Sequence, residues 1–81
     1  MGNITVGILI FPDVEILDFC GPYEVLAAVR LDESRRREQA SPFRVLLIAE
    51  SLEPLRTKGG MRILADVTTA DCPPLDWLIV P

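Results

Sequence analysis

The run Ile4-Thr5-Val6-Gly7-Ile8-Leu9-Ile10-Phe11 constrains the fold more than any other stretch of the chain. It is rich in β-branched residues and almost unbroken in its apolar character. A strand with one face in water alternates apolar and polar residues, whereas a strand buried on both faces does not. The run therefore points to a parallel sheet with helices on each side. Pro12-Asp13 closes it. Phe43-Arg44-Val45-Leu46-Leu47-Ile48-Ala49 reads as a second buried strand, and Asp76-Trp77-Leu78-Ile79-Val80-Pro81 as a third.

Between the first two strands, residues 14–29 carry apolar side chains at helical spacing, with Leu17, Gly21, Tyr23 and Val25 on the repeat. Strand, helix and strand make a βαβ unit, whose crossover is right-handed in nearly all cases. Gly21-Pro22 leaves two starts open. Proline has no N–H to return to the carbonyl of Asp18, so the helix either begins at Pro22 or begins near Glu15 and kinks there. The apolar stripe over Val14–Phe19 favours the earlier start.

Residues 32–42 are charged and of mixed sign. They read as a solvated helix end and loop, with Asp32, Glu33 and Glu38 offsetting Arg35-Arg36-Arg37. Lys58-Gly59-Gly60 lies between two short alternating segments and reads as a hairpin turn. It lacks the spacing and the Lys-Ser/Thr ending of a phosphate loop. Asp66 to Asp71 reads as a polar link with room for one helical turn, broken by Cys72-Pro73-Pro74.

Composition narrows the function classes. The formal net charge of -4 builds no basic footprint for a phosphate backbone, so nucleic-acid binding through this segment is not expected. No stretch reaches the roughly 18–20 apolar residues of a membrane span. Met1-Gly2-Asn3 offers no positive side chain for a secretory leader, and Val6 stands where a myristoylation motif wants Ser or Thr. A reducing cytoplasm is the expected compartment. The chain holds two cysteines, Cys20 and Cys72, and no histidine, so no zinc site is expected. Its 81 residues fall short of the roughly 100–150 usual for a domain, yet 49% are hydrophobic and no disulfide framework is present. Residues 1–81 thus read as part of a single larger domain.

Two segments carry a resemblance. Val6-Gly7-Ile8-Leu9-Ile10-Phe11-Pro12 followed by Leu17-Asp18-Phe19-Cys20-Gly21-Pro22-Tyr23-Glu24-Val25 resembles the opening of DJ-one/ThiJ/PfpI proteins, and among them the isonitrile hydratase branch. Gly59-Gly60-Met61, Asp71-Cys72-Pro73-Pro74-Leu75-Asp76 and Leu78-Ile79-Val80-Pro81 are similar too. The resemblance implies an α/β class, a flavodoxin-like open parallel sheet with flanking helices, present here as an N-terminal fragment with a β-hairpin insertion. It implies a nucleophilic cysteine on a strand-to-helix elbow beyond Pro81, matched by neither Cys20 nor Cys72. It places a carboxylic acid at Asp18, close to that nucleophile. A carboxyl group tucked among Leu17, Phe19 and the sheet loses hydration, which disfavours its charged form. Held protonated, it donates a hydrogen bond to a thiolate and can shuttle a proton.

Other readings of these residues stand beside that one. Asp18 can be a helix cap. Glu24 reads as a hydrogen-bonding or interface residue, and Cys20 as a small buried hydrophobe. Cys72 reads as packing or loop. Three functions remain open: a cysteine hydratase or hydrolase on a small carbon–nitrogen substrate with Asp18 as acid/base partner, a ligand-sensing domain of an AraC-type regulator, and an inactive truncated product. No cofactor or metal is expected. The resemblance implies a homodimer for the intact protein.

Overall fold

In the computed structural model, residues 3–81 are described. The leader and acylation readings fall in part on Met1 and Gly2, which lie outside them. The chain runs through β1 (Ile4–Leu9), α1 (Ile16–Ala28), a 3-10 turn (Glu33–Arg35), β2 (Phe43–Ala49), β3 (Leu55–Arg56), β4 (Arg62–Ile63), β5 (Val67–Thr68) and β6 (Trp77–Ile79). Four strands form one parallel sheet in the order β5-β2-β1-β6. β3 and β4 form a separate antiparallel hairpin.

The two long apolar runs lie at the centre, as their composition requires. β1 pairs with β2 from Ile4↔Phe43 through Leu9↔Ile48, and with β6 from Val6↔Trp77 through Ile8↔Ile79. Side chains alternate across the sheet. Val6 and Ile8 point to the α1 side and are fully buried. Ile8, Ile10, Val14, Phe19 and Ala49 form the core, with Val45, Leu47 and Ile79 packed against it from the sheet. From α1, Ile16, Phe19 and Cys20 reach this core. They stand three and four residues apart, the spacing of one helix face. Burying Phe19 contributes on the order of 2–3 kcal/mol.

α1 takes the earlier of its two possible starts. It is continuous from Ile16 to Ala28 and contains Pro22. At its far end, Arg30 Nη1 donates to the carbonyls of Ala27 and Val29, at 2.9 Å each, and the Ser41 hydroxyl donates to Leu26 O at 2.6 Å. The arginine satisfies carbonyls that a helix end leaves without helical partners, and Leu26 O, which also accepts from Val29 N–H, gains a second bond.

The opposite face of the sheet carries Gly7. An added Cβ there would meet the Cδ1 atoms of Ile48 and Leu75, the latter at 2.7 Å. Leu75 belongs to the segment that leads from β5 at one edge to β6 at the other. Helices on both faces were expected; among the described residues α1 lies on one face, and this crossover segment packs on the other.

Two expectations need correction. The Asp66–Asp71 link holds no helical turn but a short strand, β5, paired with the end of β2 through Ile48↔Val67 and Ala49↔Thr68. Asp18 does not cap α1: the cap position is Glu15, whose side chain makes no capping bond. Two of the three arginines are paired with acids as read, Arg35 with Glu38 at 3.1 Å and Arg36 with Glu33 at 2.7 Å, while Asp32 accepts from Ser34 instead.

Candidate functional site

In open parallel sheets, ligand sites form beyond the carboxyl ends of the strands. Here β1 leaves the sheet through a tight turn in which Val14 N–H donates to Phe11 O at 3.0 Å. Pro12 takes the second position and Asp13 the third, with φ 69°. Proline followed by a positive φ is the pattern of a type II turn, and Asp is among the few residues that tolerate that region. The hairpin clasps this turn. Asp13 N–H donates to Arg56 O at 2.9 Å, and Lys58 N–H donates to Val14 O at 3.0 Å. Within the hairpin, Thr57 is buried, and its Oγ1 accepts from Met61 N–H at 3.1 Å. Gly60 adopts φ 94°, which accounts for glycine at that position.

The turn and hairpin set the start of α1. Asp18 is its third residue, and its N–H bonds to Glu15 O at 3.1 Å. A carboxylate in the first turn interacts favourably with the positive end of the helix dipole. Because Pro22 lacks an N–H, the Asp18 carbonyl has no helical partner four residues on. The side chain of Asp18 is exposed, and Leu17 beside it is 80% exposed. This corrects the expected burial: Phe19 turns inward, but within these residues nothing desolvates Asp18.

The remaining candidates separate around it. Glu24 is exposed farther along the helix. Cys20 is half-buried against the core, as its apolar neighbours suggest, and Cys72 is half-buried with its thiol directed to Pro73 O at 3.2 Å. Both thiols are free. Among the described residues, no group of three or more His, Cys, Asp or Glu side chains is placed to hold a metal ion. Among the described residues, no helix is long and apolar enough to cross a membrane.

A cleft of about 560 Å³ opens at the carboxyl ends of β1 and β2. Leu9, Phe11, Pro12, Pro54 and Leu55 give it apolar walls, with Glu50, Ser51, Glu53 and Thr69 as polar lining. Asp18 does not line it. Sequence reasoning passed over Glu50 and Glu53. The available signal was their position directly after a buried parallel strand, where such folds place their ligand loops.

No family profile matches the chain. It is 33% identical over 78 residues to an isonitrile hydratase of Pseudomonas putida, a match that covers 96% of this chain and 29% of that protein. It superimposes on a ThiJ/PfpI family protein from Pseudomonas syringae with a TM-score of 0.79 and 23% identity, covering 100% of this chain and 29% of that one. The chain thus spans under a third of the length of both. Similar in sequence over nearly all its residues to an isonitrile hydratase and in fold to a ThiJ/PfpI family protein, the chain has the fold of the opening part of such proteins, and both likenesses support the DJ-one/ThiJ/PfpI superfamily.

Proposed function

We propose that residues 1–81 form the opening part of a larger domain that hydrates a small carbon–nitrogen substrate of the isonitrile type. Asp18 is its acid/base partner, and the nucleophile is a cysteine outside these residues. The observation that carries the reading is the 33% identity to an isonitrile hydratase. The position of Asp18 in the first turn of the helix after β1, toward the carboxyl end of the sheet, supports it. The exposed Leu17 and Asp18 fit a further part of the domain that covers them and excludes water. The intact protein acts as a cytoplasmic homodimer on a small-molecule substrate.

The chemistry balances without a cofactor. The thiolate attacks the terminal isonitrile carbon, forming a C–S bond. Asp18 in its acid form delivers a proton to that carbon, which gives a thioimidate. Water then adds to the same carbon, giving one proton to the Asp18 carboxylate, and the second water proton passes to nitrogen as the hydroxyl left on carbon becomes the C=O. The C–S bond breaks, the thiolate leaves, and the N-formamide is released. Asp18 serves as proton donor in the first half and accepts a proton from water in the second.

The test uses the protein at its native length, incubated with an alkyl isonitrile while the formamide is followed by mass spectrometry. Asp18→Asn is expected to lower kcat by roughly 10²–10⁴-fold, and Asp18→Glu to retain part of the rate. Unchanged turnover in Asp18→Asn would remove Asp18 from the mechanism. Absence of formamide with the unaltered protein would overturn the hydratase reading itself.

A further inference from the structure

The cleft beyond β1 and β2 is separate from Asp18, and its chemistry points elsewhere. A volume of about 560 Å³ lies within the range of small-molecule pockets, roughly 300–1,000 Å³. Its walls are the side chains of Leu9, Phe11, Leu55 and two prolines, Pro12 and Pro54. Prolines and a paired strand end hold their shape at little further entropic cost, so the walls are preformed. Two carboxylates, Glu50 and Glu53, line it, and no basic residue does. Among the described residues the ion pairs are Arg35–Glu38 and Arg36–Glu33, so neither Glu50 nor Glu53 is engaged by a cation. The nearest basic side chain along the chain, Arg56, is turned to Gly60 O at 2.9 Å.

An apolar cleft with two uncompensated carboxylates selects by charge. It repels carboxylates and phosphates, accepts neutral apolar groups, and gains most from a molecule that joins a hydrocarbon group to a cation. We propose that this cleft binds a small organic cation, an aryl- or alkylammonium, with its hydrocarbon part against Phe11, Pro12 and Leu55 and its ammonium between Glu50 and Glu53. This goes beyond the hydratase reading and does not depend on it.

Three probes of one shape decide the matter: benzylammonium, benzyl alcohol and benzoate, with binding to the purified protein followed by ligand-observed NMR at neutral pH and low salt. Benzylammonium should bind roughly ten-fold tighter than benzoate, with benzyl alcohol between them. In Glu50→Gln/Glu53→Gln the preference should fall to within about two-fold while benzyl alcohol is unchanged. The two residues are exposed, so this variant keeps the fold, and circular dichroism verifies it. Phe11→Ala should weaken all three probes together. Equal binding of benzoate and benzylammonium, a charge preference that survives the double substitution, or no binding of any probe at millimolar concentration would each overturn the assignment.

Discussion

Asp76 holds Thr5 by both backbone groups: its N–H donates to Thr5 O at 2.8 Å, and its Oδ2 accepts from Thr5 N–H at 2.8 Å. Asp66 does the same to Leu47, donating its N–H to Leu47 O at 2.8 Å and accepting from Leu47 N–H at 2.7 Å. Each aspartate stands directly before an edge strand, β6 or β5. Its carboxylate takes the place of a carbonyl that a longer strand would have supplied, so each short strand starts in a fixed register.

Removing either carboxylate leaves a strand N–H without its partner. Asp76→Ala and Asp66→Ala should each lower stability by about 1–2 kcal/mol, read from urea unfolding. The asparagine variants keep an acceptor oxygen and should lose less. A cost for Asn equal to that for Ala would show that charge, and not the hydrogen bond, carries the effect.

Gly7 and Gly21 should respond in opposite directions to the same substitution. A Cβ at position 7 collides with Ile48 and Leu75, whereas one at position 21 meets nothing within 4 Å. Gly7→Ala should destabilise by about 1–3 kcal/mol through overpacking. Gly21→Ala should stabilise the chain by up to about 1 kcal/mol, because glycine is costly inside a helix. Thermal unfolding of the two variants side by side checks the contrast.

Asp13 sits at φ 69°, so its tolerance depends on backbone and not on bulk. Asp13→Gly should be neutral or mildly stabilising. Asp13→Val should cost on the order of 1–3 kcal/mol, because a β-branched residue is strained in the left-handed region. Denaturation midpoints that match for the two variants would argue against the turn geometry.

The Arg36 guanidinium, hydrogen-bonded to Glu33, holds that carboxyl below its ordinary pKa. A lowered pKa in the folded state means stability that is present above the unfolded value and lost as pH falls through the folded one. The loss therefore falls at the acid end, below the usual glutamate range. Carboxyl NMR should show the Glu33 midpoint rising in Arg36→Ala. Both side chains are exposed, so the pair should weaken with salt.

Much of this architecture was legible in the chain. β1, β2 and β6 are short apolar runs rich in β-branched residues and bounded by proline or polar residues, the pattern of strands in a parallel sheet. The hairpin announced itself by Gly59-Gly60. The apolar stretch Val14–Phe19 pointed to the earlier start of α1 in spite of Pro22, but the buried face is Ile16, Phe19 and Cys20, whereas Leu17, Tyr23 and Val25, read on the helical repeat, are exposed. β5 was not legible, because a two-residue strand is created by its neighbour β2 and not by its own composition. The double grip of Asp66 and Asp76 was hidden for a related reason: an aspartate beside a strand reads as a turn residue until its partner, many positions away, is known. The exposure of Asp18 was missed because adjacent residues on a helix can face opposite ways. Phe19 is buried while Leu17 and Asp18 are not.

The bond between Asp76 and Thr5 spans 71 positions. During synthesis, β1 emerges well before its partner β6. Until Trp77 arrives, one flank of the most apolar strand stays unpaired, open to any other extended chain nearby. The interval between β1 and β6 on the ribosome is thus a window in which this strand can pair with the wrong partner.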